Sequence, residues 1–407
     1  MARWHVLHKR LWGENEAQFS MENLHVTWNK GENGPHELTY EISYYYETDL
    51  TQIIPYNIDF GLFRNDREIM QGMVTAVGFE AEQEYLSVAA KSYLHYLEKR
   101  MFPYDAQHPN AFLIGDPPRG SAYEVTNAEV KNIIETLLSS TIAMPNSLPI
   151  TWTLADTGHH TDYRIDLPDS ASILSKIQEL SGQDPGIFDF WMDNLEFKMA
   201  VPRRYPIAVL GDASLCAWTF TDSASGLLNV KFTNNGPEGN HILGVGAGNN
   251  PFSTGDSPSS ADLEFSMDDY DSQAYYRRYD IYQDFGDVPN RARVQALTKG
   301  YFGHAIQPQH ELSVDVYADA VPNFWYGTIY PGCAIWLDYS NGIYHLNSAY
   351  EVVSIDLEVN TETDEMVTLN LNQVYPFYQE AAPPVVVAPG TDVNKPPIYL
   401  VTNTPYG

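Results

Sequence analysis

Two cysteines in 407 residues, Cys216 and Cys333, exclude a disulfide framework, and neither has a Cys or His partner at metal-ligand spacing. Both read as small buried apolar residues. No stretch approaches the ~18 consecutive apolar residues of a membrane helix. The start, "MARWHVLHKRLWGENEAQF", is basic but lacks an apolar h-region and a small-residue cleavage site. The chain is therefore expected to be soluble, made in a reducing cytoplasm and not inserted into a membrane. Cations are scarce: 23 Lys plus Arg face 53 Asp plus Glu, a formal net charge of −30. Such a surface repels nucleic acid and predicts no stable nucleic-acid binding. It leaves open a role in which a polyanion slides past an acidic wall without being held.

Motifs that carry chemistry are also missing. There is no Gly-x-Ser-x-Gly elbow, and neither cysteine sits in a nucleophile context. "DFG" at 284–286 lacks the Val-Ala-Ile-Lys strand and His-Arg-Asp loop of a kinase. "GVGAG", from Gly244 to Gly248, leads into "NNPFSTGDSP" and not into a helix whose N-terminus could hold a phosphate, so it reads as a tight turn. "DDYD", from Asp268 to Asp271, lacks the Gly and terminal Glu of a calcium loop. His159-His160 lies in the polar run "DTGHHTDYR" without the i, i+4 spacing of a zinc helix, and reads as a solvated or turn-stabilising pair. With 53 carboxylates, no glycosidase pair can be singled out. The expectation is no enzyme: no catalytic, cofactor-binding or metal-binding residue is assigned.

What is present is apolar content, 43% of the chain, enough for several cores. From residue 24 to 77, short alternating runs separated by Gly, Asn and Pro predict antiparallel strands. Asn65-Asp66 supplies a hairpin turn between Phe63 and Ile69, and Gly72 suits a bulge. Leu86, Ala90, Tyr93, Leu94, Leu97 and Met101 recur at three-to-four spacing before Pro103 and predict an amphipathic helix. A second helix is predicted from Thr126, with "TNAE" as a capping box closed by Glu129 and a stripe of Val130, Ile133, Ile134, Leu137 and Leu138. After a strand at "LPITWTLA", a third begins near Asp169 and buries Ile173, Leu174, Ile177 and Leu180. The period then returns to two. A hairpin turns at Asp193-Asn194 with Phe188, Phe190, Leu195, Phe197 and Met199 inward. Strands follow at "CAWTF", "LLNVKF" and "HILGVG".

Residues 236–287, rich in Gly, Asn, Ser and Asp, read as a long acidic surface loop. A helix at "PNRARVQALTKGYF" precedes strands at "ELSVDVYA", "GCAIWLDY", "YEVVSIDLEV" and "EMVTLNLNQV". Simple alternation places Val353, Ile355, Leu357 and Val359 on one buried face, opposite Val367, Leu369 and Leu371. The Pro-rich end reads as an extended arm without its own core. Aromatics make up 13% of the chain, including "SYYYE" at 43–47 and "NFWYG" at 323–327, and favour core or subunit interface.

Over roughly residues 24–374 the order of these pieces resembles the tail-hub, or minor tail, proteins of long-tailed bacteriophages (siphophages). The resemblance is carried by "LFRNDREIMQGMVTAVGFEAEQEYLSVAAKSYLHYLEKRMFPY", by "SASILSKIQELSGQDPGIFDFWMDNLEFKMAVPRR", and by "NHILGVGAG" followed by "YRRYDIYQDFGDV". The closing run "ELSVDVYADAVPNFWYGTIYPGCAIWLDYSNGIYHLNSAYEVVSIDLEVNTETDEMVTLNLNQV" completes it. It implies a β-rich α+β fold, two small antiparallel β-barrels flanking mixed α/β domains. The expected boundaries are 1–80 with 150–165 for the first barrel, 81–149 for a helical insert and 166–300 for an α/β middle domain. Residues 301–378 would form the second barrel and 379–407 the arm. The resemblance further implies a homotrimer whose six barrels form a ring at the tail tip, with the distal tail protein, the tape-measure protein and receptor-binding proteins as partners. Residues 328–359 would then hold an assembly together and carry no chemistry. The alternatives are a carbohydrate-binding tail-tip or surface protein that uses the Tyr-rich loops, and a cell-wall hydrolase.

Overall fold

Alternating apolar residues bounded by Asn, Asp and Gly turns produce mostly strands. The computed structural model describes residues 3–10, 16–20, 23–43, 53, 55–79, 84–102, 122–142, 147–166, 171–182, 188–200, 213–221, 223–246, 263–286, 288, 291–306, 308–342, 344–359 and 365–373. The first third contains β1 (Trp4–Arg10), β2 (Glu16–Ser20), β3 (Leu24–Asn29), β4 (Glu37–Ser43), β5 (Ile58–Arg64), β6 (Arg67–Phe79), β7 (Tyr85–Ser92) and α1 (Leu94–Glu98). The middle contains β8 (Ala122–Glu129), α2 (Val130–Ile142), β9 (Thr151–Leu154), β10 (His160–Asp166), α3 (Ile173–Gly182), β11 (Asp189–Asp193), β12 (Glu196–Ala200) and β13 (Trp218–Phe220). The last part contains β14 (Leu227–Pro237), β15 (His241–Val245), β16 (Glu264–Asp268), α4 (Tyr270–Tyr276), β17 (Asp280–Asp284), α5 (Arg291–Ala305), β18 (Pro308–Val316), β19 (Ala334–Ser340), β20 (His345–Val359) and β21 (Met366–Gln373).

Thirteen of these strands form one sheet in the order β14-β18-β21-β20-β3-β4-β7-β6-β5-β1-β2, with β19 beside β20 and β13 beside β19. Two separate barrels were expected; among the described residues no ladder closes a barrel, and the two β-rich ends are one sheet. The cause is the length of β20. Its first half pairs with β19 and its second half, from Ser354 to Val359, pairs antiparallel with β3. The core is correspondingly continuous, with Val26, Leu62 and Val88 in the same cluster as Val314, Leu337 and Ile355.

A bulge in β20 between Val352 and Ser354 resets its alternation. Val352, Ile355 and Leu357 are buried, whereas Val353 and Val359 are only half-buried, which corrects the simple alternating face. The helix expected from Leu86 to Met101 is strand as far as Ser92. Leu86, Val88 and Ala90 fit a two-residue period as well as a helical one, and ladders to β4 and β6 decide between them. Helix α1 begins at Leu94, and Met101 is exposed. Helix α2 buries the expected stripe but starts at Val130. Thr126 and Glu129 belong to β8, Asn127 has a φ of 49°, and the carbonyl of His159 accepts the Val130 N–H, so no capping box forms. Helix α3 buries Ile173, Leu174, Ile177 and Leu180 as expected, and its proposed start at Asp169 lies outside the described residues.

The Asn65-Asp66 turn is present with both residues at positive φ. The β11–β12 hairpin turns one residue later than expected, at Asn194-Leu195. Gly72 is not itself a bulge: a Cβ there would stand 2.0 Å from the carbonyl oxygen of Lys91 on β7. Residues 150–165, expected with the first barrel, instead place β10 against β8 and β9 in a small sheet with β11 and β12. A second core cluster gathers there around α1, α2 and α3, including Ile133, Leu137, Ile177 and Phe197.

The loop expected over 236–287 is also corrected. Its described part folds as the sheet β16-β15-β17 and helix α4, packed on α5 through Ile242, Met267 and Phe302; residues 247–262 lie outside the description, as does the arm at 379–407. Gly244 allows this packing, since a Cβ would meet Thr298 Oγ1 of α5 at 2.0 Å. Gly244→Ala is expected to force α5 away and cost about 1–3 kcal/mol. Urea unfolding of the purified variant checks this; an unchanged midpoint would mean that α5 is free to shift.

Candidate functional site

The residues singled out as possible chemistry are accounted for locally. Gly286 N–H bonds Asp284 Oδ1 at 2.8 Å, so "DFG" is an Asx turn. Gly244 and Gly246 of "GVGAG" lie against Thr298, Val288 and Val294, which makes them helix-packing positions. In "DDYD", Asp269 caps α4 by accepting from Ser272 N–H at 2.8 Å. His160 is exposed at the start of β10 and His159 is half-buried. Burial pushes the Cys333 thiol up to about 12, while Cys216 is half-buried beside Trp336. Among the described residues no group of three or more His, Cys, Asp or Glu could hold a metal ion, and no helix is long and apolar enough to cross a membrane. "SYYYE" lies outside the described residues from Tyr44 onward.

What the fold does concentrate is a seam where sequence-distant segments are tied together. Arg64 occupies an inward position of β5, continuing Ile58, Phe60 and Leu62. It is buried, donates through Nε to Glu365 Oε1 at 2.6 Å and through a terminal nitrogen to Glu365 Oε2 at 2.8 Å, and also reaches Asp319 at 2.8 Å. Burial alone would lower its pKa, but the bonds to Glu365 and Asp319 outweigh it and hold the guanidinium charged. Trp4 Nε1 donates to the same Glu365 oxygen at 2.6 Å, and the Trp325 ring stands edge-on to Trp4 at 5.3 Å and tilted over Trp28 at 5.4 Å. Within "NFWYG", Phe324 is therefore core and Trp325 packs against it at the junction of β1, β3 and β5 with the C-terminal strands, while Asn323 and Gly327 are exposed.

Lys30 makes the second tie. Buried in the β3–β4 turn, it lies 3.0 Å from Glu351 of β20 and 3.2 Å from Asp189 of β11, so one ammonium joins both ends of the chain to the helical cluster. Beside it, Gly31 packs so closely that a Cβ would stand 2.0 Å from the Phe190 carbonyl oxygen. A histidine adds pH sensitivity within this sheet. His8 shares a hydrogen bond with Tyr40 inside the core, and burial lowers its pKa from 6.5 to about 4. Between those values the unfolded chain binds the extra proton, so the stability is complete above pH 6.5 and is lost as pH falls toward 4. His8→Gln is expected to remove about 3 kcal/mol of the loss over that interval and to leave the share of His36, whose pKa burial likewise lowers to about 4. Urea midpoints of both chains at about pH 7.5 and 4.5 test it; equal losses would exclude His8 as a titrating group.

The outer face of the seam is polar and acidic. Asp356 of β20 accepts from Thr27 and Asn370 at 2.6 Å each, and Asp315 of β18 accepts from Thr368 at 2.8 Å and Asn229 at 3.0 Å. Burial pushes the Asp315 carboxyl up, but the bonds from Asn229 and Thr368, with Lys231 beside it, hold it below the usual range. Lys91 and Lys231 on this face are each engaged with a carboxylate, Glu37 and Asp315. Glu41 and Glu358 line a shallow groove of about 400 Å³ with His25 and Thr39. Asp356 and Asp315, held by these bonds, present fixed negative charge.

Sequence reading missed Arg64 and Lys30. The available signal was a lone cation in phase with the buried positions of an alternating strand.

No protein-family model and no curated protein matches the sequence. Solved structures do. The 43 kDa tail protein of prophage MuSo2 from Shewanella oneidensis matches at a TM-score of 0.60 and 9% identity, covering 91% of this chain and 98% of that one. The tail protein from Neisseria meningitidis MC58 matches at 0.57 and 12% identity, covering 91% and 96%. Prophage tail protein gp18 from Listeria monocytogenes EGD-e matches at 0.50 and 12% identity, covering 91% and 95%. At these identities the likeness is one of fold: the chain has the β-rich fold of phage tail proteins.

Proposed function

We propose that the chain is a structural tail-hub (minor tail) protein of a long-tailed bacteriophage. Three copies form a ring at the tail tip that joins the tail tube to the receptor-binding apparatus and surrounds the path of DNA and tape-measure protein. The observation that carries this reading is fold likeness to prophage tail proteins over nearly the whole of both chains. In this reading β19 and β20, within residues 328–359, are assembly elements. The acidic outer face of the seam fits a wall past which DNA moves without adhering, since Lys91 and Lys231 there are paired with carboxylates. The distal tail protein, the tape-measure protein and receptor-binding proteins are its partners, and the reading assigns no enzymatic activity. No geometric observation favours a cell-wall hydrolase.

Gold-labelled antibody against the chain, viewed on purified phage particles by electron microscopy, tests the placement. Label confined to the tail tip is expected. Label along the tube, on the head, or absent from intact and gently opened particles would overturn it.

A further inference from the structure

Residues 238–306 are inserted between β14 and β18, strands that pair directly with each other, and they build their own core under α5. Segments that extend from a rigid scaffold in this way are common carriers of recognition. The small sheet turns Ile242, Met267 and Ile281 toward α5, so alternation turns His241, Asp268 and Asp280 outward, aligned in one row by register. These side chains form a connected polar patch. His241 Nδ1 is 2.9 Å from Asp268 and its Nε2 4.0 Å from Asp280. Gln273 donates to Asp268 at 2.7 Å, and Arg278 donates to Asp280 at 2.7 Å while lying 3.9 Å from Asp268.

Two exposed tyrosines stand at this patch, Tyr270 within electrostatic reach of Arg278 and Tyr282 on the outward face of β17, and Tyr279 adjoins it in sequence. Tyr270, Tyr279 and Tyr282 are 43%, 53% and 56% exposed. The display is rigid. Asn240 is fully buried, donates to the Arg277 carbonyl at 2.6 Å and accepts from Tyr279 N–H at 2.8 Å. Arg277 is held at a φ of 68°, a conformation that non-glycine residues adopt rarely. A buried amide thus fixes the exposed loop that carries Arg278, Tyr279 and Asp280.

We infer that this patch is a carbohydrate-binding platform for the neutral pyranose units of an oligosaccharide. Tyrosine rings lie against the apolar C–H faces of the sugar, and Asp268, Arg278 and Asp280 meet its hydroxyl groups as acceptors and donors. Anionic polymers are disfavoured by these carboxylates and by the neighbouring Asp269, Asp271 and Asp284. The patch binds and does not cleave. Burial pushes Asp268 up, but bonds from Gln273 and His241 outweigh it and keep the carboxyl below the usual range, so it holds no proton to give a leaving group. The inference depends on the inserted lobe and is independent of the ring.

The test applies the full-length chain to an array of neutral and acidic oligosaccharides and titrates the strongest neutral hit by calorimetry. Tyr270→Ala and Tyr282→Ala remove exposed rings and leave the core intact; each is expected to weaken binding about tenfold or more. Tyr56→Ala, an exposed tyrosine outside the lobe, is expected to leave affinity unchanged. Absence of any saturable neutral ligand, preference for acidic glycans, or full affinity in both tyrosine variants would overturn the inference.

Discussion

Arg64→Met is expected to lower the stability of the chain by about 3–5 kcal/mol, because it leaves the mostly buried Glu365 carboxylate without its cation. Methionine retains much of the stem that packs near Trp4 and Trp325, so the loss reports charge and not volume. The double variant Arg64→Met with Glu365→Gln should recover most of it. The glutamine oxygen still accepts from Trp4 Nε1, and no unpaired charge remains. Tryptophan fluorescence during urea unfolding follows the transition directly, since Trp4 and Trp325 stand beside the Arg64 guanidinium and Trp28 packs on Trp325. A double variant no more stable than the single, or a single costing less than about 1 kcal/mol, would show that the ion pair does not hold the seam.

The parts of the fold legible in the sequence are those settled by neighbouring residues. The Asn65-Asp66 turn follows from its two residues, and the buried stripes of α2 and α3 and the strands β18, β19 and β21 carry a periodicity that no competing pattern matches, whereas β20 was legible as a strand but not in its reset face. The segment that forms β7 was ambiguous because Leu86 and Ala90 serve both periods, and its choice depends on ladder partners from elsewhere in the chain. The seam was not legible. Ser354 pairs with Asn29 across more than three hundred residues, and nothing in either strand names its partner. Continuity of the sheet among the described residues follows from that pairing. The candidate surfaces divide in the same way. An excess of tyrosine was visible, but its display on a lobe inserted between two paired strands depends on β14 meeting β18.

Ile355→Asp should abolish folding of the thirteen-stranded sheet, and not merely of its C-terminal part. Ile355 is 3% exposed, opposite Trp28 on β3 and Leu369 on β21, at the point where β20 joins the two halves. An aspartate there removes a buried aliphatic side chain and places a charge among Val26, Leu357 and Val367 with no partner, a loss of roughly 5 kcal/mol or more. That approaches the whole stability of an ordinary domain. Val353→Asn is the informative companion. Without the bulge, residues 353 and 355 would share the buried face and both substitutions would be severe. With it, Val353 turns toward the outer side and the change should cost about 1 kcal/mol or less. Soluble yield and circular dichroism separate the cases. A folded Ile355→Asp chain would refute the register between β3 and β20, whereas two unfolded variants would refute the bulge and restore simple alternation. An unfolded Ile355→Asp chain beside a native-like Val353→Asn chain is the expected pair, because only a reset strand can turn these neighbouring positions to opposite faces.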